Sequence, residues 1–117
     1  MKKAFYLSTC STCKRILEEV NLPSSVKLQD IKTNKISPED LEAMQALSGS
    51  YEALFSRRAM KYKSMGLKDK KLSETDYRDL ILEEYTFLKR PVIVDQEQIF
   101  IGSSKKTVEQ LKQHFNS

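Results

Sequence analysis

The stretch Ala4-Phe5-Tyr6-Leu7-Ser8-Thr9-Cys10-Ser11-Thr12-Cys13-Lys14-Arg15-Ile16-Leu17-Glu18-Glu19-Val20 decides the fold. Ala4 to Leu7 is a short apolar run and reads as a strand. Ile16, Leu17 and Val20 share one helical face, while Lys14, Arg15, Glu18 and Glu19 cover the other. Asn21-Leu22-Pro23 ends that helix. The two cysteines therefore fall where a strand passes into a helix. A helix N-terminus carries free N–H groups and about half a positive charge. Both favour a thiolate, the reactive form of cysteine. Cys10 falls at or just before the N-cap; Cys13 lies one turn in and is expected to be more buried. Three residues along a helix puts both sulfurs on one face, within disulfide reach.

Working outward, Val26 to Ile31 alternates and reads as a second strand, with Val26, Leu28 and Asp30 on one side. Ser37-Pro38-Glu39-Asp40 is a helix start: a capping serine, a proline where its missing N–H costs nothing, and acids at the positive helix end. Leu41, Met44 and Leu47 follow at helical spacing until Ser48-Gly49-Ser50 breaks the helix. Tyr51 to Met65 predicts one or two short helices, with Leu54, Phe55, Tyr62 and Met65 apolar and Gly66 as the stop. Ser73 to Leu88 places Tyr77, Leu80, Ile81, Tyr85 and Leu88 at helical spacing. Arg90-Pro91 leads into Val92-Ile93-Val94; Asp95-Gln96-Glu97 is a tight turn before a strand from Gln98 to Ile101, which is a hairpin signal. Gly102-Ser103-Ser104 opens a last helix with Val108, Leu111 and Phe115 inward.

The order is strand, helix, strand, helical middle, hairpin, helix. The first strand-helix-strand unit is expected to be parallel and right-handed. Two strands alone make no stable layer, so the hairpin must join the same sheet. This predicts an α/β domain: a mixed four-stranded sheet flanked by helices, with a helical insertion at about 37–88, between the second and third strands. The insertion is large enough to pack as a cap beside the sheet. At 117 residues the chain has the length of one domain, 1–117.

Composition narrows the function. Lys and Arg number 20 against 16 acids, a net +4, in small groups spread along the chain, which reads as a solvated surface. Zinc-finger spacing, a groove-reading helix and Arg/Gly-interleaved aromatics are all missing, so direct nucleic-acid binding is not expected. No run approaches the roughly 18 apolar residues of a membrane span. The start, Met1-Lys2-Lys3 with a four-residue apolar run, lacks the long apolar region of a signal peptide. The expected location is the cytoplasm, where a Cys-x-x-Cys pair points to redox or metal chemistry rather than a structural disulfide framework.

In the redox reading, Cys10 attacks an oxidised sulfur or another electrophile, and Cys13 resolves the adduct as an intramolecular disulfide. Two other readings stay open: a buried structural pair, and a metal site. The latter is short of ligands, since four are usual and His114 is the only other soft candidate unless a dimer shares two pairs. Pro91 is the second pointer. It is either a plain strand-start proline or a cis proline that exposes the Arg90 backbone to a bound partner strand. Arg90 either holds an anion or a substrate carboxylate near Cys10 or is simply solvated; Arg57 and Arg58 carry the same two readings, and one of them must point away. Ser11 and Thr12, between the cysteines, complete the candidate substrate-binding set with Arg57, Arg58, Arg90 and Pro91.

Four segments resemble the ArsC/Spx family of thioredoxin-like proteins: Phe5 to Arg15, Tyr51 to Arg58, Tyr62 to Leu67, and Leu88 to Asp95 followed by Ile101-Gly102. That family includes glutaredoxin-linked arsenate reductases, YffB-like proteins and Spx transcription regulators. The resemblance implies the thioredoxin-like fold and its helical insertion. It implies that Cys10 is the catalytic cysteine and Arg90 the arginine before a cis proline, with Arg57 or Arg58 standing for an arginine of the helical region. Two departures from the reductases are visible. Ser56 lies nearer the position they fill with arginine, and Gly102 or a neighbour replaces their arginine after the hairpin. Cys13 matches the two-cysteine pattern of Spx. The activities implied are arsenate or glutathione-linked disulfide reduction, with glutathione, glutaredoxin or thioredoxin as thiol partner and no tightly bound cofactor. The alternative is a redox-sensing regulator that binds RNA polymerase.

Overall fold

The computed structural model describes residues 1–116. They form two compact units: residues 1–34 with the chain from residue 90 onward, and the intervening Lys35–Lys89.

The first unit holds β1 (Lys2–Tyr6), α1 (Ser11–Val20), β2 (Lys27–Asp30), β3 (Val92–Asp95), β4 (Gln98–Ile101) and α5 (Lys105–Asn116). The sheet order is β2-β1-β3-β4. β1 runs parallel to β2 and antiparallel to β3, and β3 antiparallel to β4. The mixed four-stranded sheet expected from the sequence is therefore present. Gln96 and Glu97 close the hairpin, Gln96 with a left-handed φ of 58°. Ala4 and Ile93 from the central strands pack with Ile16 and Val20 of α1 and Val108 and Leu111 of α5, so both helices cover one sheet face. Burying each of the larger side chains contributes roughly 1.5–3 kcal/mol. The period-two alternation puts Phe5, Val92 and Val94 on the opposite face, where they too are fully buried.

Leu28 stands opposite Ala4 in the register, yet it is 57% exposed. β2 is an edge strand, and the layer that buries Ala4 leaves Leu28 to solvent.

The second unit holds α2 (Pro38–Ser48), α3 (Met60–Ser64) and α4 (Glu74–Glu83), with 3-10 turns at Glu52–Leu54, Leu67–Asp69 and Tyr85–Phe87. The Ser37 hydroxyl accepts the Asp40 N–H at 3.1 Å, Pro38 takes the first helical position, and Gly49 ends α2 at φ 94°. Phe55 is the centre of an aromatic cluster. Its ring stacks on Phe87 with centroids 5.0 Å apart, and lies 4.9 Å from Tyr77 and 6.0 Å from Tyr62.

α4 is shorter than the periodicity predicts. It stops at Glu83, because the Tyr85–Leu88 segment serves another partner. Leu88 bridges Phe55, the Ser56 N–H donates to the Phe87 carbonyl at 2.7 Å, and the Lys89 N–H donates to the Leu54 carbonyl at 2.8 Å. At its other end α4 has a reciprocal cap. The Ser73 hydroxyl accepts the Asp76 N–H (3.2 Å), and the Asp76 carboxylate accepts the Ser73 N–H (2.9 Å). Ser73→Ala is expected to cost about 1 kcal/mol and lower Tm by several degrees in a thermal melt. An unchanged Tm would mean that the cap contributes nothing.

No helix among the described residues is long and apolar enough to cross a membrane.

Candidate active site at the head of the first helix

Register places the site. Phe5, near the end of β1, lies opposite Val92, the first residue of β3. Cys10 and Cys13 follow β1, and Arg90 and Pro91 precede β3, so all four come together at one end of the sheet. The Arg90–Pro91 peptide is cis, which answers what the sequence left open. Pro91 is buried and its carbonyl accepts the Gly102 N–H at 2.9 Å. Ser11, exposed, and Thr12, half-buried, belong to the same end.

Cys10 is the N-cap of α1, in extended backbone (φ −96°, ψ 108°). Its N–H donates to the Leu7 carbonyl at 2.9 Å, closing the turn out of β1, and its carbonyl accepts the Lys14 N–H at 3.2 Å. The side chain is half-exposed and the thiol is free. Its sulfur lies at the helix end, where the Cys13 and Thr12 N–H groups and the positive end of the helix favour a negative charge. Partial burial pushes the Cys10 thiol up. The Cys13 N–H, the Cys13 thiol, the Arg90 charge and the Thr12 N–H together outweigh that push and leave its pKa below the ordinary thiol value.

Cys13 is the opposite case. It is fully buried on the core face of α1, beside Ile16 and Val20. Burial is the main force driving its pKa up to about 11. The Leu7 backbone offsets part of this, while the thiolate character of Cys10 adds to it. One sulfur is thus inclined to ionise and the other to keep its proton.

The candidate arginines Arg57 and Arg58 lie in the helical unit. Arg57 Nη2 is bonded there to Glu52 (2.6 Å) and to the Tyr77 hydroxyl (3.0 Å), while Arg58 is exposed. His114 pairs through Nε2 with Asp95 Oδ2 at 2.8 Å. Asp95 stands opposite Lys2, so this pair sits at the end of the sheet away from the cysteines. Among the described residues no three His, Cys, Asp or Glu side chains stand together to hold a metal.

One residue escaped the sequence reading. Asp30, at the end of β2, accepts the Lys32 N–H at 3.1 Å and the Ser8 N–H at 3.4 Å. The Ser8 hydroxyl, chiefly, holds its carboxyl below the usual range. Asp30 therefore anchors the loop that delivers Cys10. Its only signal was an acid at a strand end ahead of the polar turn Lys32-Thr33-Asn34.

The sheet order, the helical insertion and a cysteine-headed first helix ahead of a cis proline make this a thioredoxin-like protein. The model of the ArsC family matches residues 5–111, and the chain belongs to that family. It is 29% identical over 105 residues to the uncharacterized protein YusI of Bacillus subtilis, covering 87% of each chain. It is 24% identical over 106 residues to the global transcriptional regulator Spx 2 of Bacillus anthracis, covering 86% of this chain and 79% of that one. Among solved structures, an ArsC family related protein from Bacteroides fragilis superposes with a TM-score of 0.77 at 26% identity, covering 95% of this chain and 98% of that one. A possible arsenate reductase from Streptococcus mutans gives 0.73 at 25% identity, covering 95% and 97%.

Proposed function

We propose that this chain is a thiol-dependent oxidoreductase in which Cys10 is the nucleophile and Cys13 the resolving thiol. The observation that carries this reading is the opposed state of two sulfurs one helical turn apart, the outer acidified and the inner held protonated. With a glutathione mixed disulfide, the Cys10 thiolate attacks one sulfur, the substrate S–S bond breaks, and one thiolate leaves. Cys13 then gives up its proton and attacks the Cys10 sulfur. The second thiolate leaves, protonated, and a Cys10–Cys13 disulfide remains. Two electrons pass from protein to substrate, and glutathione, glutaredoxin or thioredoxin returns them.

Arsenate calls for the same two sulfurs. The Cys10 thiolate displaces water from protonated arsenate to form an S–As(V) ester. Cys13 attack on Cys10 then releases arsenite, with As(V) reduced to As(III). Arg90 orients the anion in either case, and Ser11 and Thr12 are the further candidates for contacting it. The Arg90–Pro91 backbone faces a partner bound in extended form. Ser56, nearer the position that the reductases resembled fill with arginine, and Gly102 or a neighbour in place of their arginine after the hairpin, favour the disulfide substrate over arsenate.

The test is the pH dependence of Cys10 alkylation by iodoacetamide. A thiolate favoured by its surroundings gives a rate that rises with pH through a midpoint below the ordinary 9.0. The Arg90 charge favours that thiolate, so Arg90→Gln should move the midpoint upward. Mild oxidation should remove both thiols together. Alkylation as slow as that of a model thiol, with no Cys10–Cys13 bond formed, would rule the proposal out.

A second reading has its own support. Spx of Streptococcus pyogenes is 24% identical over 92% of this chain. A Cys10–Cys13 disulfide would then switch a surface that contacts RNA polymerase. Absence of polymerase in pull-downs of both reduced and oxidised protein excludes that reading.

A further inference from the structure

Basic residues look scattered along the chain, but their surplus is not. Residues 57–71 carry seven Lys and Arg against Asp69 alone, while the other 102 residues carry 13 basic and 15 acidic side chains. The whole positive excess of the protein thus sits in one short segment, whose remainder of the chain is slightly acidic. This segment is α3 and the 3-10 turn after it. Ala59 and Leu67 are buried and Tyr62 is half-buried against Phe55, which leaves the charged side chains facing out.

Two of the seven cations are neutralised locally: Arg57 by Glu52 and Lys61 by Glu84. Arg58, Lys63, Lys68, Lys70 and Lys71 are exposed and have no ion-pair partner among the described residues. The same segment carries exposed apolar side chains: Met60 is 89% exposed and Met65 45%, two of the three large apolar side chains exposed among the described residues. Methionine is flexible and polarizable, and suits a contact surface that must adapt to its partner.

We propose that this basic, methionine-bearing face docks an acidic segment of a partner protein, one in which Asp and Glu flank one or two apolar side chains. Charge complementarity steers such a partner and sets its register, and the two methionines receive its apolar residues. Nucleic acid is the poorer fit. The segment offers no exposed aromatic ring for stacking, and the five-residue α3 is too short to read a groove. An anionic membrane is also the poorer fit, because surface-lying helices present a long apolar face that α3 lacks.

The experiment uses the whole chain and a fluorescein-labelled peptide of Asp and Glu flanking two leucines, followed by anisotropy across a salt series. The triple variant Lys63→Glu, Lys68→Glu, Lys70→Glu should weaken binding at least about tenfold, because each reversal turns an attraction into a repulsion. Lys105→Glu with Lys106→Glu, the same kind of change on α5, should leave binding within about twofold. Met60→Ser should abolish the preference for the leucine peptide over its serine counterpart. Circular dichroism checks that each variant is folded. Equal weakening by the α5 reversals, no leucine preference, or tighter binding to single-stranded DNA or phosphatidylserine vesicles of matched charge would each overturn the proposal.

Discussion

Cys10→Ser is expected to reduce turnover of a glutathione mixed disulfide by at least about 10³-fold, to the uncatalysed rate, because a serine hydroxyl at this site has neither the acidity nor the nucleophilicity of the thiol it replaces. Cys13→Ser should behave differently. The first attack survives, so the adduct on Cys10 forms but cannot be resolved from within, and intact-mass spectrometry should find the mixed disulfide accumulating. The asymmetry follows from the structure: Cys10 is half-exposed at the N-cap, whereas Cys13 is fully buried. pH separates the two steps as well. Trapping in Cys13→Ser should persist below pH 9.0, where an ordinary thiol is mostly protonated, because the Cys10 pKa is lowered. Resolution in the wild-type protein should accelerate as pH rises, because burial raises the Cys13 pKa and Cys13 must lose its proton to attack. Equal turnover in Cys10→Ser and wild type would leave the proposed chemistry without a nucleophile.

The largest effect on stability is expected at Phe55. It is fully buried and holds three rings, those of Phe87, Tyr77 and Tyr62. Phe55→Ala removes the hub of that cluster and leaves a cavity that the surrounding rings fill only in part. The cost should be about 3–5 kcal/mol. For a chain of this size that lowers Tm by at least about 10 °C in a calorimetric or circular-dichroism melt. Phe55→Leu, which keeps most of the volume, should lose much less. A fall of only a few degrees for the alanine variant would show that the cluster is not a stability centre.

Much of this architecture is legible in the sequence because local signals agree. The apolar run before Cys10, the amphipathic face Ile16-Leu17-Val20, the Ser37-Pro38 cap and the hairpin around Gln96 each specify an element on their own. Where reading failed, a tertiary contact decided the outcome. Tyr85 and Leu88 fit the helical spacing of α4, but residues beside them pair with Leu54 to Ser56 instead, and no local rule announces a partner some thirty residues away. The alternation puts Val26 and Leu28 on one side, yet Val26 is buried and Leu28 exposed, because their strand lies at the sheet edge. At the site, the cysteines, Arg90 and Pro91 stand out by type and spacing. The cis geometry of the Arg90–Pro91 bond does not, since one residue string is compatible with both isomers. Asp30 was hidden for another reason. Its importance lies in the Ser8 N–H it receives, and that backbone group carries no signature in the side-chain alphabet.

The pairing of β1 with β3 joins Lys2 to Asp95 and Phe5 to Val92. During synthesis, then, a ribosome must extrude the whole stretch from β1 to β3, insertion included, before the central seam can close. Until that moment β1 can zip only with β2, leaving its other edge bare. Throughout that interval the nascent protein carries an unsealed strand, which is when chaperones would have most to guard.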